Sequence, residues 1–143
     1  MHVERTFTVA RPIGEVFSYL GDFTNTDEWD PGTVSTVRTS GEGGLGTTYR
    51  NTSQFLGRRV ELTYETVTYV VPTRLQFRGR NGRTTATDSL TLRATADHET
   101  EIHYRADFEF SPLLRLLAPL VLRRKLPAIA DETAEQLQAS LTL

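Results

Sequence analysis

Cysteine is absent from the chain, and with it go disulfide cross-links, thiolate nucleophiles and the sulfur-rich metal sites that thiolates build. Net charge is nearly absent as well. Sixteen Lys and Arg stand against 18 Asp and Glu, a formal charge of -2, which offers no basic footprint for nucleic acid or for an anionic membrane. The opening Met1-His2-Val3-Glu4-Arg5 has no apolar stretch of signal-peptide length, so the expected location is the cytoplasm. A Gly-x-Ser-x-Gly elbow and a dinucleotide fingerprint are both missing. The three histidines do not cluster: His2 lies at the terminus, His98 in a turn, and His103 on the polar face of a strand, where it reads as a solvated residue. The expectation is therefore no metal and no cofactor. What remains is a chain of 143 residues, 38% apolar, with the length of one domain (1–143) that can bury a core without staples.

The order of the hydrophobic periods is the main positive signal. Residues 2–10 alternate as a half-buried strand, with Val3, Arg5, Phe7 and Val9 on one face. Residues 12–23 read as a helix, opened by Pro12, carrying an Ile13, Val16, Phe17, Leu20 stripe and stopped at Gly21. Residues 22–31 are rich in cap formers, predicting a second short helical turn with Trp29 anchored on a sheet and Asp30 extended before Pro31. Period-two patterns then fill residues 34–110. The glycine-rich stretch 40–46 lacks the lysine and the following helix of a phosphate cradle and is a hairpin loop. Strands are expected at 47–55, 58–71, 73–80, 83–94 and 100–110, a six- or seven-stranded antiparallel meander. In residues 58–71 the apolar parity changes from even to odd, which calls for a bulge near Glu65 or Thr66. Asn51-Thr52-Ser53 matches a glycosylation acceptor and is read as ordinary strand sequence.

The tail reverts to a helical period, starting at Ser111-Pro112. Leu122, Leu126, Ile129, Ala130, Thr133, Leu137 and Leu141 fall on one face, whereas Leu113, Leu117, Leu120 and Val121 gather on the opposite side. Pro119 and Pro127 predict a short first segment, a break or kink, and a longer amphipathic segment. The first segment, residues 113–121, reads as a lid over the mouth of a pocket enclosed by sheet and helix. Arg123-Arg124-Lys125 is read as a solvated helix face rather than as a membrane contact.

Residues 16–31, through Trp29-Asp30-Pro31, together with 46–49 and 72–77, resemble the SRPBCC superfamily, most closely its polyketide cyclase/dehydrase and lipid transport members, which are START-like. The resemblance implies an α+β helix-grip fold. In it a strongly bent antiparallel sheet wraps a long C-terminal helix, with two short helices after strand 1 and a hydrophobic cavity between sheet and helix. It does not imply one activity, since fold and function are separable.

The candidate site follows from which residues face that cavity. Asp88 shares strand parity with Ala86, Leu90 and Leu92, the apolar face, and a carboxylate there has a raised pKa and can act as general acid, general base or hydrogen-bond anchor. A structural role for Asp88, paired with Arg78 or held by Tyr104, is the favoured alternative. The cavity candidates are Trp29, Tyr49, Tyr64, Phe77, Asp88, Tyr104, Phe108, Leu117 and Val121, with Phe110 in the same aromatic set and ordinary core as the simpler account of most of them. The function expected is binding of a small hydrophobic, lipid- or polyketide-like molecule. An aromatase/cyclase that moves protons through Asp88 or a cavity tyrosine is the enzyme alternative, and a ligand-free interaction module is the third. Nucleic acid is not an expected partner; a second copy of the chain, forming a homodimer, is left open.

Overall fold

The computed structural model describes residues 1–55, 57–82, 84–110 and 119–142, with side chains at 55 and 119–123 left out. Seven strands form one antiparallel sheet: β1 (His2–Val9), β2 (Thr33–Ser40), β3 (Thr48–Phe55), β4 (Arg58–Val70), β5 (Arg74–Asn81), β6 (Thr84–Ala96) and β7 (Glu99–Glu109). Their spatial order is β1-β7-β6-β5-β4-β3-β2, so the first two strands in the chain stand at opposite edges. Between them run helix α1 (Ile13–Gly21), a 3-10 turn (Phe23–Asn25) and helix α2 (Thr26–Trp29). The C-terminal helix α3 (Pro119–Leu141) packs chiefly on β1 and α2. This is the helix-grip architecture. The helix described contains no span long and apolar enough to cross a membrane.

Local chemistry explains most of the boundaries. Pro12, extended at φ -61° and ψ 145°, precedes the first turn of α1, and its carbonyl receives the amides of Glu15 and Val16. The stripe Val16, Phe17, Leu20 is buried, as the helical period requires. Asp22 caps the 3-10 turn by accepting from the Thr24 amide at 3.0 Å. Glycines at positive φ occupy the β2–β3 loop (Gly41, Gly43, Gly44 and Gly46) and the tight β3–β4 turn (Gly57). The bulge in β4 falls one residue later than the parity change suggested: pairing with β5 skips from Thr66 to Thr68, leaving Val67 as the extra residue. Inner-facing positions are even up to Thr66 and odd from Tyr69, which packs edge-on against Phe17 at 5.0 Å. Asn51 is buried and hydrogen-bonded to Thr36 at 2.8 Å, the place of a core amide and not of a glycan.

Helix α3 bears on one of the two prolines at which a break or kink is expected. The helix continues through Pro127 instead of breaking there. A proline removes one amide donor, but Leu126, Ala130, Thr133, Leu137 and Leu141 on both sides of it stay buried along one stripe, and that burial holds the register. The Pro127 carbonyl receives the Arg5 guanidinium at 3.2 Å, and Arg5 also grips Asp131 at 2.6 Å, joining β1 to the helix beside the proline. The predicted tail start at Ser111-Pro112 and residues 113–118 of the expected lid segment 113–121 lie outside the described residues.

Candidate functional site

Three rungs of the sheet build the inner face. The first runs Tyr49, Tyr64, Gly79, Ala86, Phe108; the second Thr66, Phe77, Asp88, Ala106, Val3; the third Tyr69, Leu75, Leu90, Tyr104, Arg5. The first rung sets the small Gly79 and Ala86 between Tyr64 and Phe108, and for Gly79 the reason is steric. A Cβ placed on Gly79 would lie 2.5 Å from the Tyr64 ring, so glycine is what lets that ring lie flat across the strand. From the other side Phe23 of the 3-10 turn packs on Tyr64, Phe77 and Tyr49 at ring separations of 4.6, 4.5 and 5.6 Å. Trp29 of α2 meets Tyr104 edge-on at 6.2 Å.

Within this aromatic lining stands Asp88. Its Oδ1 accepts a hydrogen bond from the Tyr104 hydroxyl at 2.9 Å, and it has no other hydrogen bond among the described residues. The side chain is half-buried among these residues, neither packed solid nor fully open to solvent. Desolvation raises its pKa to about 7, the nearby charge of Asp30 adds to the rise, and the Tyr104 hydrogen bond opposes it. Arg78, the other partner the sequence offered, sits on the next position of β5, opposite Thr87, and therefore on the outer face. The tyrosine, not the arginine, holds the carboxylate.

Asp30 is the residue that reading the sequence missed. Its Oδ1 accepts from the Gly32 amide at 3.1 Å and its Oδ2 from Thr33 at 2.9 Å, which pins the turn between α2 and β2. Burial raises its pKa too. Asp30 and Asp88 act together on Tyr64 and Tyr104, whose hydroxyls are held far above the usual phenol range, first by burial and then by these two charges. Position directly after an inward-anchored tryptophan was the available signal, but a residue before proline reads first as a turn former.

Of the nine sequence candidates, Trp29, Tyr49, Tyr64, Phe77 and Tyr104 are buried in the one core cluster, Phe108 packs against it half-buried, and Asp88 lies among them. Phe108 also stacks on Phe110 at 5.8 Å. Leu117 lies outside the described residues, as does the side chain of Val121. His103 is on the outer face as expected, its Nδ1 2.7 Å from the Thr6 hydroxyl. Among the described residues no group of three or more His, Asp and Glu is arranged to hold a metal ion. A separate surface depression, lined by Pro12, Ile13, Ala94 and Asp97, contains none of the nine.

Comparison with known proteins agrees with the fold. No curated protein sequence matches the chain. Among solved structures, a conserved protein from Geobacillus kaustophilus superposes with a TM-score of 0.76 at 15% identity, covering 99% of this chain and 95% of that one. The Zhui aromatase/cyclase from Streptomyces sp. R1128 gives 0.68 at 18% identity, covering 100% and 99%. A START superfamily protein from Mycobacterium smegmatis gives 0.66 at 14% identity, covering 94% and 97%. At such identities the likeness is one of fold. The model of one sequence family, described as polyketide cyclase / dehydrase and lipid transport, matches residues 1–142, and the chain therefore belongs to that family.

Proposed function

We propose that this protein binds a small, largely hydrophobic molecule, lipid- or polyketide-like, between the inner face of the sheet and the helices, and that residues 1–143 act as one ligand-binding domain. The observation that carries the reading is Asp88: a carboxylate set in an aromatic lining, anchored by one tyrosine, with its second oxygen unbonded among the described residues. Apolar walls would supply affinity, and the few polar atoms orientation. Membership of a family whose description includes lipid transport supports it.

The first test is native mass spectrometry of the purified full chain, followed by solvent extraction of whatever leaves it. A stoichiometric apolar adduct is the expected result. An empty spectrum, combined with no binding of added fatty alcohols and polycyclic aromatics, would overturn the reading in favour of an interaction module filled by its own side chains.

One observation favours an enzyme as the second reading. An aspartic acid raised to about 7 is poised to exchange protons near neutral pH, where an ordinary aspartate is already ionised. On a poly-carbonyl chain, Asp88 would take a proton from an activated methylene, and Tyr104 would hold the carboxylate in place for that transfer. The cavity would fold the chain so that the carbon freed of its proton meets a distant carbonyl. Asp88→Asn should then abolish turnover while changing the affinity of a merely carried ligand only modestly.

A further inference from the structure

The ionisable side chains gathered at the interior are Asp30, Asp88, Tyr64 and Tyr104, and every one of them is an acid. No cation among the described residues answers them. The charges that act on Asp88 come from Asp30 and Asp107, both negative, and Asp30 is held only by the Gly32 amide and the Thr33 hydroxyl. Arg5, which shares the third rung with Tyr104, is paired with Asp131, and Arg105 with Glu4 and Asp107.

Hydrogen-bonding capacity is left over at the same place. Asp30 uses both oxygens, but Asp88 uses one. Tyr64 is only 7% exposed, lies close enough to feel both carboxylates, and its hydroxyl makes no hydrogen bond among the described residues. A carboxylate taken from water without a counter-charge is costly.

We propose that the molecule taken by this cavity carries a protonated amine on an apolar body, that the ammonium pairs with the free oxygen of Asp88 and donates to the Tyr64 hydroxyl, and that carboxylate-bearing ligands such as fatty acids are rejected. The inference rests on the reading of the interior as a small-molecule site and names the ligand class of that site. It rests, among the described residues, on a half-buried carboxylate with one oxygen unbonded, a neighbouring phenol that makes no hydrogen bond, and the absence of a cation acting on either.

The test uses the full chain and three probe series, each with phenyl, naphthyl and decyl bodies: the primary amine, the alcohol and the carboxylic acid. Affinity is measured by titration calorimetry at about pH 8, above the Asp88 value of about 7. For a given body the amine should bind roughly tenfold or more tightly than the alcohol, the equivalent of about one pKa unit of charge interaction, and the acid weakest of the three. Asp88→Asn keeps an acceptor for Tyr104 and should erase the advantage of the amine, so that amine and alcohol of the same body bind within a few fold of each other. Tyr64→Phe should reduce it by a few fold. If the alcohols bind but the acids match the amines, or if the amine advantage survives Asp88→Asn, the charge selection is wrong and the binding reading stands. If no probe of any body binds, both are wrong.

Discussion

At the residue scale, Asp88 makes opposite demands on stability and on chemistry. Its folded pKa lies above the unfolded value of about 4, so the native state holds the proton more tightly than the unfolded chain. The stabilisation that results is complete below about pH 4 and is lost as pH rises through about 7. The rise from 3.8 to about 7 sets a ceiling of about 4 kcal/mol, and the half-buried state of the side chain reduces it. Asp88→Asn should therefore be more stable than the parent by about 1–3 kcal/mol at pH 8 and equal to it near pH 4, as read by urea unfolding at both pH values. A variant less stable at pH 8 would show that the carboxylate is compensated in the interior. Gly79→Ala is the steric counterpart: the new methyl would meet the Tyr64 ring at 2.5 Å, and a loss of about 1–3 kcal/mol is expected, with a changed near-ultraviolet tyrosine signal.

At the scale of elements, α3 is held in place by contacts of unlike size. Leu137 is fully buried beneath the helix, so Leu137→Ala should cost about 2–5 kcal/mol in chemical denaturation. The Arg5–Asp131 pair is substantially exposed, and Arg5→Ala should cost under about 1 kcal/mol while speeding amide exchange in the turn around Pro127. If Arg5→Ala proved as damaging as Leu137→Ala, the guanidinium would be a keystone of the proline turn and not a surface clasp. The β4 bulge shows how such elements escape a sequence reading by one position. Parity change locates the switch of face, but whether Thr66 or Val67 is the extra residue is settled by pairing with Gln76 and Phe77 on β5.

At the scale of the whole molecule, occupation of the interior should be visible as stability. A ligand present at a hundred times its Kd adds about 2.7 kcal/mol, so a bound probe should raise Tm in proportion to the logarithm of its concentration, measurable by scanning calorimetry. No such rise with a ligand that calorimetric titration shows to bind would mean attachment outside the cooperative core. The strand-helix-strands-helix order was legible because alternation of two and of 3.6 residues is a local property of the chain, written in Val3 to Val9 as plainly as in Leu126 to Leu141. The inward aim of Asp88 was legible for the same reason, since parity with Ala86 and Leu90 needs no partner strand. The continuity of α3 through Pro127 was not, because burial along both sides of the proline outweighs one lost hydrogen bond only once a sheet is there to pack on. Nor was Asp30, whose closeness to Asp88 joins residues 58 positions apart (88 minus 30) that meet only when α2 is laid on the inner face of the sheet. By itself the sequence determined which faces are apolar and in what order the elements come, since those are set by neighbours along the chain; the company each buried charge keeps was decided by tertiary structure, because electrostatic energy depends on distance in space and on the loss of water.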